Sequence, residues 1–211
     1  FLGIYREDQY HGGQLIDVYK IYLQTHEDEL YDMLMLHNRE DLEGMPLILP
    51  ILNYPDFFEH PFLLKNETVL DDRVILQLEN PVFLPVSCAC RTELGSFSAD
   101  GQKAVLEIPL YRGVLKHFYE NYKDYYYLIY EDTAVHKSIG EFVEKSARRK
   151  ATAKTCYTKK EGSFFPLADV WDRPMFQEEY HGKLLFGEYT DGIFECPEFL
   201  EKYIKKIAFA K

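Results

Sequence analysis

The chain has 211 residues, 46% of them hydrophobic, enough apolar surface for one large or two small domains with a real core, which excludes a disordered chain. Its formal net charge of −11 makes the surface as a whole repel phosphate backbones, so a general nucleic-acid coat protein is excluded and any nucleic-acid site must be a local positive patch. No apolar run approaches the roughly 18 residues of a membrane span and no basic-then-apolar leader is present, so a soluble, cytoplasmic protein is expected.

The sequence opens at Phe1-Leu2-Gly3-Ile4-Tyr5, without a methionine, and reads like the middle of something longer. Behind the flexible pair Gly12-Gly13, the residues Leu15, Ile16, Tyr19, Ile21, Tyr22 and Leu23 predict a helix over 14–23. A second helix is predicted over 27–36. Leu30, Met33, Leu34 and Leu36 recur there at helical spacing behind Glu27, Asp28 and Glu29, which suit the positive end of the dipole.

The stretch Leu36-His37-Asn38-Arg39-Glu40-Asp41 follows, and apolar residues then fall at Leu42, Met45, Ile48, Leu49 and Leu52, again at helical spacing. A third helix is therefore expected to begin near Asn38, a good N-cap, with Asp41 where a capping-box acid would sit. Asp41, Met45, Ile48 and Leu52 share a face, so the carboxylate is expected to border a buried stripe, with His37 four residues before it. Two readings of Asp41 are open at this point. It caps the helix, or, with the imidazole nearby, it binds a divalent metal in phosphoryl chemistry.

Pro50, Pro55 and Pro61 punctuate an aromatic stretch that a helix could not easily cross, and a boundary is expected between about 54 and 66. Beyond it the hydrophobic period moves from 3.6 toward 2, and the 17 Tyr and 15 Phe against a single Trp favour sheet. Strands are predicted over 73–79, 86–94, 104–110, 125–130, 151–158 and 183–189, with Asp100-Gly101 as the turn of a hairpin. Helices are predicted over 114–122, from Leu115, Phe118, Tyr119 and Tyr122, and over 138–149, where Ser138 and Glu141 make a capping box. A last helix runs from Pro197 through Phe199, Leu200, Tyr203, Ile204 and Ile207. The expected fold class is α+β: an N-terminal helical segment over 1–60, then a β-rich antiparallel domain with two or three helices over 67–211.

Residues 137–160 hold eight Lys or Arg against two Glu, a net of +6, while the rest of the chain sums to −17. Arg148, Arg149, Lys150, Lys154, Lys159 and Lys160, interleaved with Tyr157, could hold a single-stranded backbone while bases stack; a solvated helix end with dipole-complementing cations is the plainer reading. Cys88 and Cys90 would point to one side of a strand and could make a zinc site with Cys156 and Cys196, although the usual two-residue spacer is missing and reduced thiols are the default. Glu131-Asp132 could bind metal or end a strand. His136, just before a predicted helix, reads as a structural histidine. No phosphate-binding glycine loop, nucleophile elbow or His-Glu-x-x-His is present.

The run His11-Gly12-Gly13-Gln14-Leu15-Ile16, the acidic helix, Leu36 through Asp41, and Ile48-Leu49-Pro50-Ile51-Leu52 together resemble the end of the ribonuclease H-like domain of YprB-type predicted exonucleases, of the DEDD group. The stretch from Glu131 to Ser138, with Lys150-Ala151-Thr152 and Thr155-Cys156-Tyr157, is similar to an extra C-terminal region of clostridial-type relatives. The resemblance implies a 3'-5' exonuclease in which Asp41 is the fourth metal-binding acid and His37 orients the attacking water or the scissile phosphate. It also implies three other acids, two in an Asp-x-Glu on a first strand, and two Mg²⁺ or Mn²⁺ ions clamping the attacking and leaving oxygens. No segment before Asp41 supplies that strand. This chain would then hold one ligand of four, bind no metal by itself and be inactive alone. The competing expectation is a non-catalytic module that binds protein or nucleic acid.

Overall fold

The structure is a computed structural model and describes residues 2–210. The chain divides into two compact units: one formed by the residues up to His60 with Pro81–Ser87 and Asp100–Gln102, the other by Pro61–Asn80, Cys88–Ala99 and everything from Lys103 on.

The first unit is helical up to His60, and its two other segments belong to strands. His11 and Gln14 form a capping box at the start of α1 (Gly12–Thr25), so a histidine takes the place usually held by Ser or Thr. His26, at φ 55°, ends the helix in the left-handed conformation and its amide returns to the Tyr22 carbonyl. After Glu27 the chain enters α2 (Asp28–Ile48), whose first-turn acids Asp28 and Glu29 face the positive end of the dipole. A 3₁₀ turn (Leu49–Leu52) leads into α3 (Asn53–Glu59). There Asn53 donates to the Phe83 carbonyl at 2.8 Å and Tyr54 to that of Val86 at 2.7 Å.

The second unit is mostly antiparallel sheet. Strands β1 (Leu63–Val69), β2 (Arg73–Thr92) and β3 (Gly95–Pro109) are adjacent in that order. Val74, Leu76 and Leu78 alternate into the core. In β3 the buried positions change from odd, Phe97 and Ala99, to even, Ala104, Leu106 and Ile108. Gly101 lies between them at φ 57°, which fits a bulge that inserts one residue.

A second sheet orders β4 (Tyr111–Phe118), β8 (Tyr157–Pro166), β10 (Phe186–Glu188) and β9 (Met175–Phe176). One face buries Leu115, Phe164, Phe176 and Phe186. On the other, Phe165 meets Trp171, Phe194, Phe199 and Tyr203 with ring centroids 5.3 to 6.3 Å apart. The helix α5 (Pro197–Ala208) closes that side with Leu200, Tyr203, Ile204 and Ile207 buried at helical spacing. A third, small sheet orders β6 (Thr133–His136), β5 (Tyr125–Leu128) and β7 (Arg148–Lys150). It packs Ala134, Ala151 and Cys156 with Tyr119, Tyr125 and Tyr127.

The α+β class, a helical segment followed by a β-rich antiparallel part with a few helices, is as the sequence predicts. Five local expectations need correction. No helix begins at Asn38, because nothing in Leu36-His37-Asn38 interrupts the 28–48 helix, so neither Asn38 nor Asp41 caps anything. The face of Asp41, Met45, Ile48 and Leu52 is not a buried stripe: α2 has no buried residue, and Met45, Ile48 and Leu52 are 57%, 52% and 56% exposed. The helix expected over 114–122 is instead largely strand, since pairing of Tyr111 through Phe118 with β8 outweighs its three-and-four apolar spacing. The helix expected over 138–149 shrinks to α4 (Lys137–Gly140), and the hairpin turns at Glu93-Leu94 rather than at Asp100-Gly101.

Candidate functional site

Asp41 and His37 lie one turn apart on α2, so the helix itself brings them together: His37 Nε2 is 3.2 Å from Asp41 Oδ2. The strap of residues 6–10 supplies what periodicity could not reveal. The other ring nitrogen of His37, Nδ1, meets the carboxylate of Asp8, whose side chain is only 1% exposed. Glu40 accepts from the backbone amides of Glu7 at 2.8 Å and Asp8 at 3.1 Å, which docks the strap onto the helix. Arg6 then reaches Asp41 at 2.8 Å, Glu40 at 3.4 Å and Asp8 at 3.5 Å.

The cluster is therefore three carboxylates around one guanidinium and one imidazole. The Tyr10 amide, and after it the His37 ring, hold the Asp8 carboxyl below the usual carboxylate range. Backbone donation from Glu7 does the same for Glu40. A carboxylate on one ring nitrogen fixes the tautomer and leaves the other nitrogen to act, which is how metal-ligating and proton-transferring histidines are commonly oriented. In His37 a carboxylate faces each ring nitrogen, Asp8 at Nδ1 and Asp41 at Nε2. His37 and Asp41 provide two donors to a divalent ion, while the Arg6 guanidinium occupies the positive place beside Asp41. Among the described residues there is no group of three or more His, Cys, Asp or Glu that could hold a metal.

The cysteines do not make a zinc site among the described residues: Cys156 is buried, Cys88 and Cys90 are half-buried, and Cys196 is exposed. Burial pushes the Cys156 thiol up to about 11. His136 caps α4, its ring accepting from the Ser138 amide, as a structural histidine should.

The basic region is divided by its own strands. Tyr126 pairs with Lys150, Tyr127 with Arg149 and Leu128 with Arg148, so Arg148 and Lys150 share one face of the small sheet and Arg149 lies on the other. Arg148 stacks over Tyr126 at 4.5 Å and donates to the Gly140 carbonyl. Arg149 stacks over Tyr127 at 4.8 Å. Lys159 pairs with Asp132, and Lys160 with Glu188 at 2.6 Å. Lys150 and Lys154 are exposed, with no ion pair among the described residues. Asp132 is not free for metal: it accepts from Tyr127, Tyr157 and Lys159, and these donors hold its carboxyl far below the usual range. Lys116, which the sequence did not single out, lies 4.9 Å over the Tyr157 ring. With Arg149 and Lys159 it surrounds the two tyrosines with three cations against one carboxylate.

No helix among the described residues is long and apolar enough to cross a membrane. Comparison of the chain with protein-family models, with curated proteins and with solved structures gives no match.

Proposed function

We propose that this chain is the C-terminal portion of a cytoplasmic, metal-dependent 3'-5' exonuclease acting on nucleic acid, and that Asp41 and His37 are its share of the active site. The observation that carries the reading is the oriented pair on α2, with Asp8 on Nδ1 of His37 and Asp41 3.2 Å from Nε2. In the intact protein Asp41 would be one ligand of a Mg²⁺ or Mn²⁺ ion and His37 would orient the attacking water or the scissile phosphate. The ion would supply Lewis-acid stabilisation of the developing charge. Arg6 would have to leave Asp41, and at 41% side-chain exposure it has solvent to move into. Of the basic residues Arg148, Arg149, Lys150, Lys154, Lys159 and Lys160, the exposed Lys150 and Lys154, with Arg148 on the face of Lys150, would guide a single strand. Arg149 lies on the other face, and Lys159 and Lys160 would first have to leave Asp132 and Glu188.

The test is hydrolysis of an end-labelled oligonucleotide by the full-length protein with Mg²⁺ or Mn²⁺. Asp41→Asn is expected to lower the rate by at least about 100-fold, the scale on which metal-site substitutions act. An Asp41→Asn protein as active as the wild type would end the assignment. A second reading, a non-catalytic binding module, is favoured by the Arg6–Asp41 ion pair at 2.8 Å, which already neutralises the proposed ligand. Strand binding separates the uses of the basic region. Neutralising Arg148, Arg149 and Lys150 should weaken oligonucleotide binding at low salt and flatten its salt dependence.

A further inference from the structure

The helical unit leaves apolar surface uncovered that its own fold does not use. In α1 and α2, Ile16, Ile21, Leu23, Met35, Leu42 and Leu47 are all 44% to 62% exposed. Part of this surface is organised into an open groove of about 1140 Å³ between the strap and α2. It is lined by the apolar Met33, Met35, Leu36 and Leu42 together with the acids Glu7, Asp8, Asp32 and Glu43. Met33 and Met35, with Met45, are three of the four methionines in the chain. On α2 the groove residues Asp32, Leu36, Arg39 and Glu43 point roughly half a turn away from His37 and Asp41, given about 100° per residue. Asp8 lines the groove as well as the candidate site, so the two adjoin across the strap, while the groove acids Asp32 and Glu43 lie on the other face of α2.

Charge decides which occupant fits. Residues 1–60 carry twelve Asp or Glu against three Lys or Arg, a net of −9 in a chain whose total is −11. A second copy of this chain would bring the same −9 to the contact, and like charges across an interface oppose association. Asp32 and Glu43 are exposed and form no ion pair among the described residues; Arg39 is the one cation lining the groove. Flexible thioether side chains adapt to varied apolar partners, and an apolar groove of this kind takes the apolar face of a helix.

We propose that this groove binds a cationic amphipathic helix of a partner protein, with Met35 and Leu42 under its apolar stripe and Asp32, Glu43 and Glu7 pairing with its Lys or Arg. The inference does not depend on the exonuclease reading.

The test uses the 211-residue chain and two labelled 18-residue peptides with leucine at positions i, i+3, i+4 and i+7. One carries lysine and the other glutamate at the remaining positions, and binding is followed by fluorescence anisotropy. The Leu/Lys peptide is expected to bind at least about tenfold more tightly than the Leu/Glu peptide at low salt, and to weaken as salt screens the groove acids. Asp32→Asn with Glu43→Gln is expected to weaken it about fivefold, and Met35→Ser by a similar factor, with circular dichroism unchanged. Glu198→Gln with Glu201→Gln, in α5, should have no effect. Equal affinity for the two peptides, or the same loss from the α5 variant as from the groove variant, overturns the proposal. So does self-association of the chain that Leu42→Ser abolishes, since a second copy would then own the groove.

Discussion

Tyr127 and Tyr157, thirty residues apart in sequence, donate their hydroxyls to the same oxygen of Asp132. Lys159 takes the other oxygen, so a single carboxylate ties β5, β8 and the turn before β6 together. Asp132 sits at φ 50°, a left-handed conformation that Asp and Asn tolerate better than most residues.

Asp132→Asn therefore keeps the backbone preference and removes the charge. Its expected cost is about 1 to 2 kcal/mol, discounted for a side chain that is 39% exposed. The Lys159 and tyrosine donors lower the carboxyl below its unfolded value, so the stability it contributes is present above about pH 4 and is lost as pH falls toward the folded value. Urea midpoints at pH 7, 4 and 2.5 should converge for variant and wild type at the acid end. Equal midpoints at pH 7 would mean that the cluster adds nothing.

Tyr203 of α5 is fully buried, and its hydroxyl lies 2.7 Å from the Pro166 carbonyl and 2.9 Å from that of Leu94. Tyr203→Phe removes the single hydroxyl hydrogen that these two carbonyls share, that of Pro166 buried and that of Leu94 part-buried, for an expected loss of about 1 to 2 kcal/mol. Burial raises the phenol well above its ordinary value, so its contribution is complete below about pH 10 and is lost above it, where the unfolded chain ionises first. Thermal melts between pH 8 and 11 should fall more steeply for the wild type than for Tyr203→Phe. Parallel curves would remove this phenol as a cause of alkaline unfolding.

Gly187 in β10 is there for space. A Cβ at this position would meet the Trp171 ring at 2.6 Å and Leu167 at 2.9 Å. Gly187→Ala should cost about 1 to 3 kcal/mol, the range for overpacking a tight core. Because Trp171 is the only tryptophan, its emission reports the displacement directly. An unchanged spectrum with unchanged stability would show that the loop bearing Trp171 yields without cost.

The elements that could be read from the chain are those whose pattern and partners agree. Pro197 at a first-turn position, followed by a stripe at Leu200, Tyr203, Ile204 and Ile207, specifies α5 because periodicity and burial coincide. The same holds for the start of β2, where Val74, Leu76 and Leu78 alternate inward. Asp100-Gly101 carries a real signal for positive φ, but that signal is common to a reversal and a bulge, and only strand pairing chooses between them.

His37 and Asp41 were identifiable as a pair because four residues on a helix make neighbours of any sequence. Their partners Arg6 and Asp8 were not, since an irregular strap meeting a helix about thirty residues later has no period to reveal it. The basic region is similar: its charge is plain in the sequence, while its division between two faces follows from β5–β7 register. By itself, then, the sequence determined the α+β class, the amphipathic closing helix and the charge asymmetry, all consequences of local composition and period. Only the tertiary structure decided that residues 114–118 are strand, that the 41–52 face stays exposed and that Asp41 is held by a guanidinium. Each of those outcomes depends on which distant group satisfies a backbone, an apolar surface or a charge.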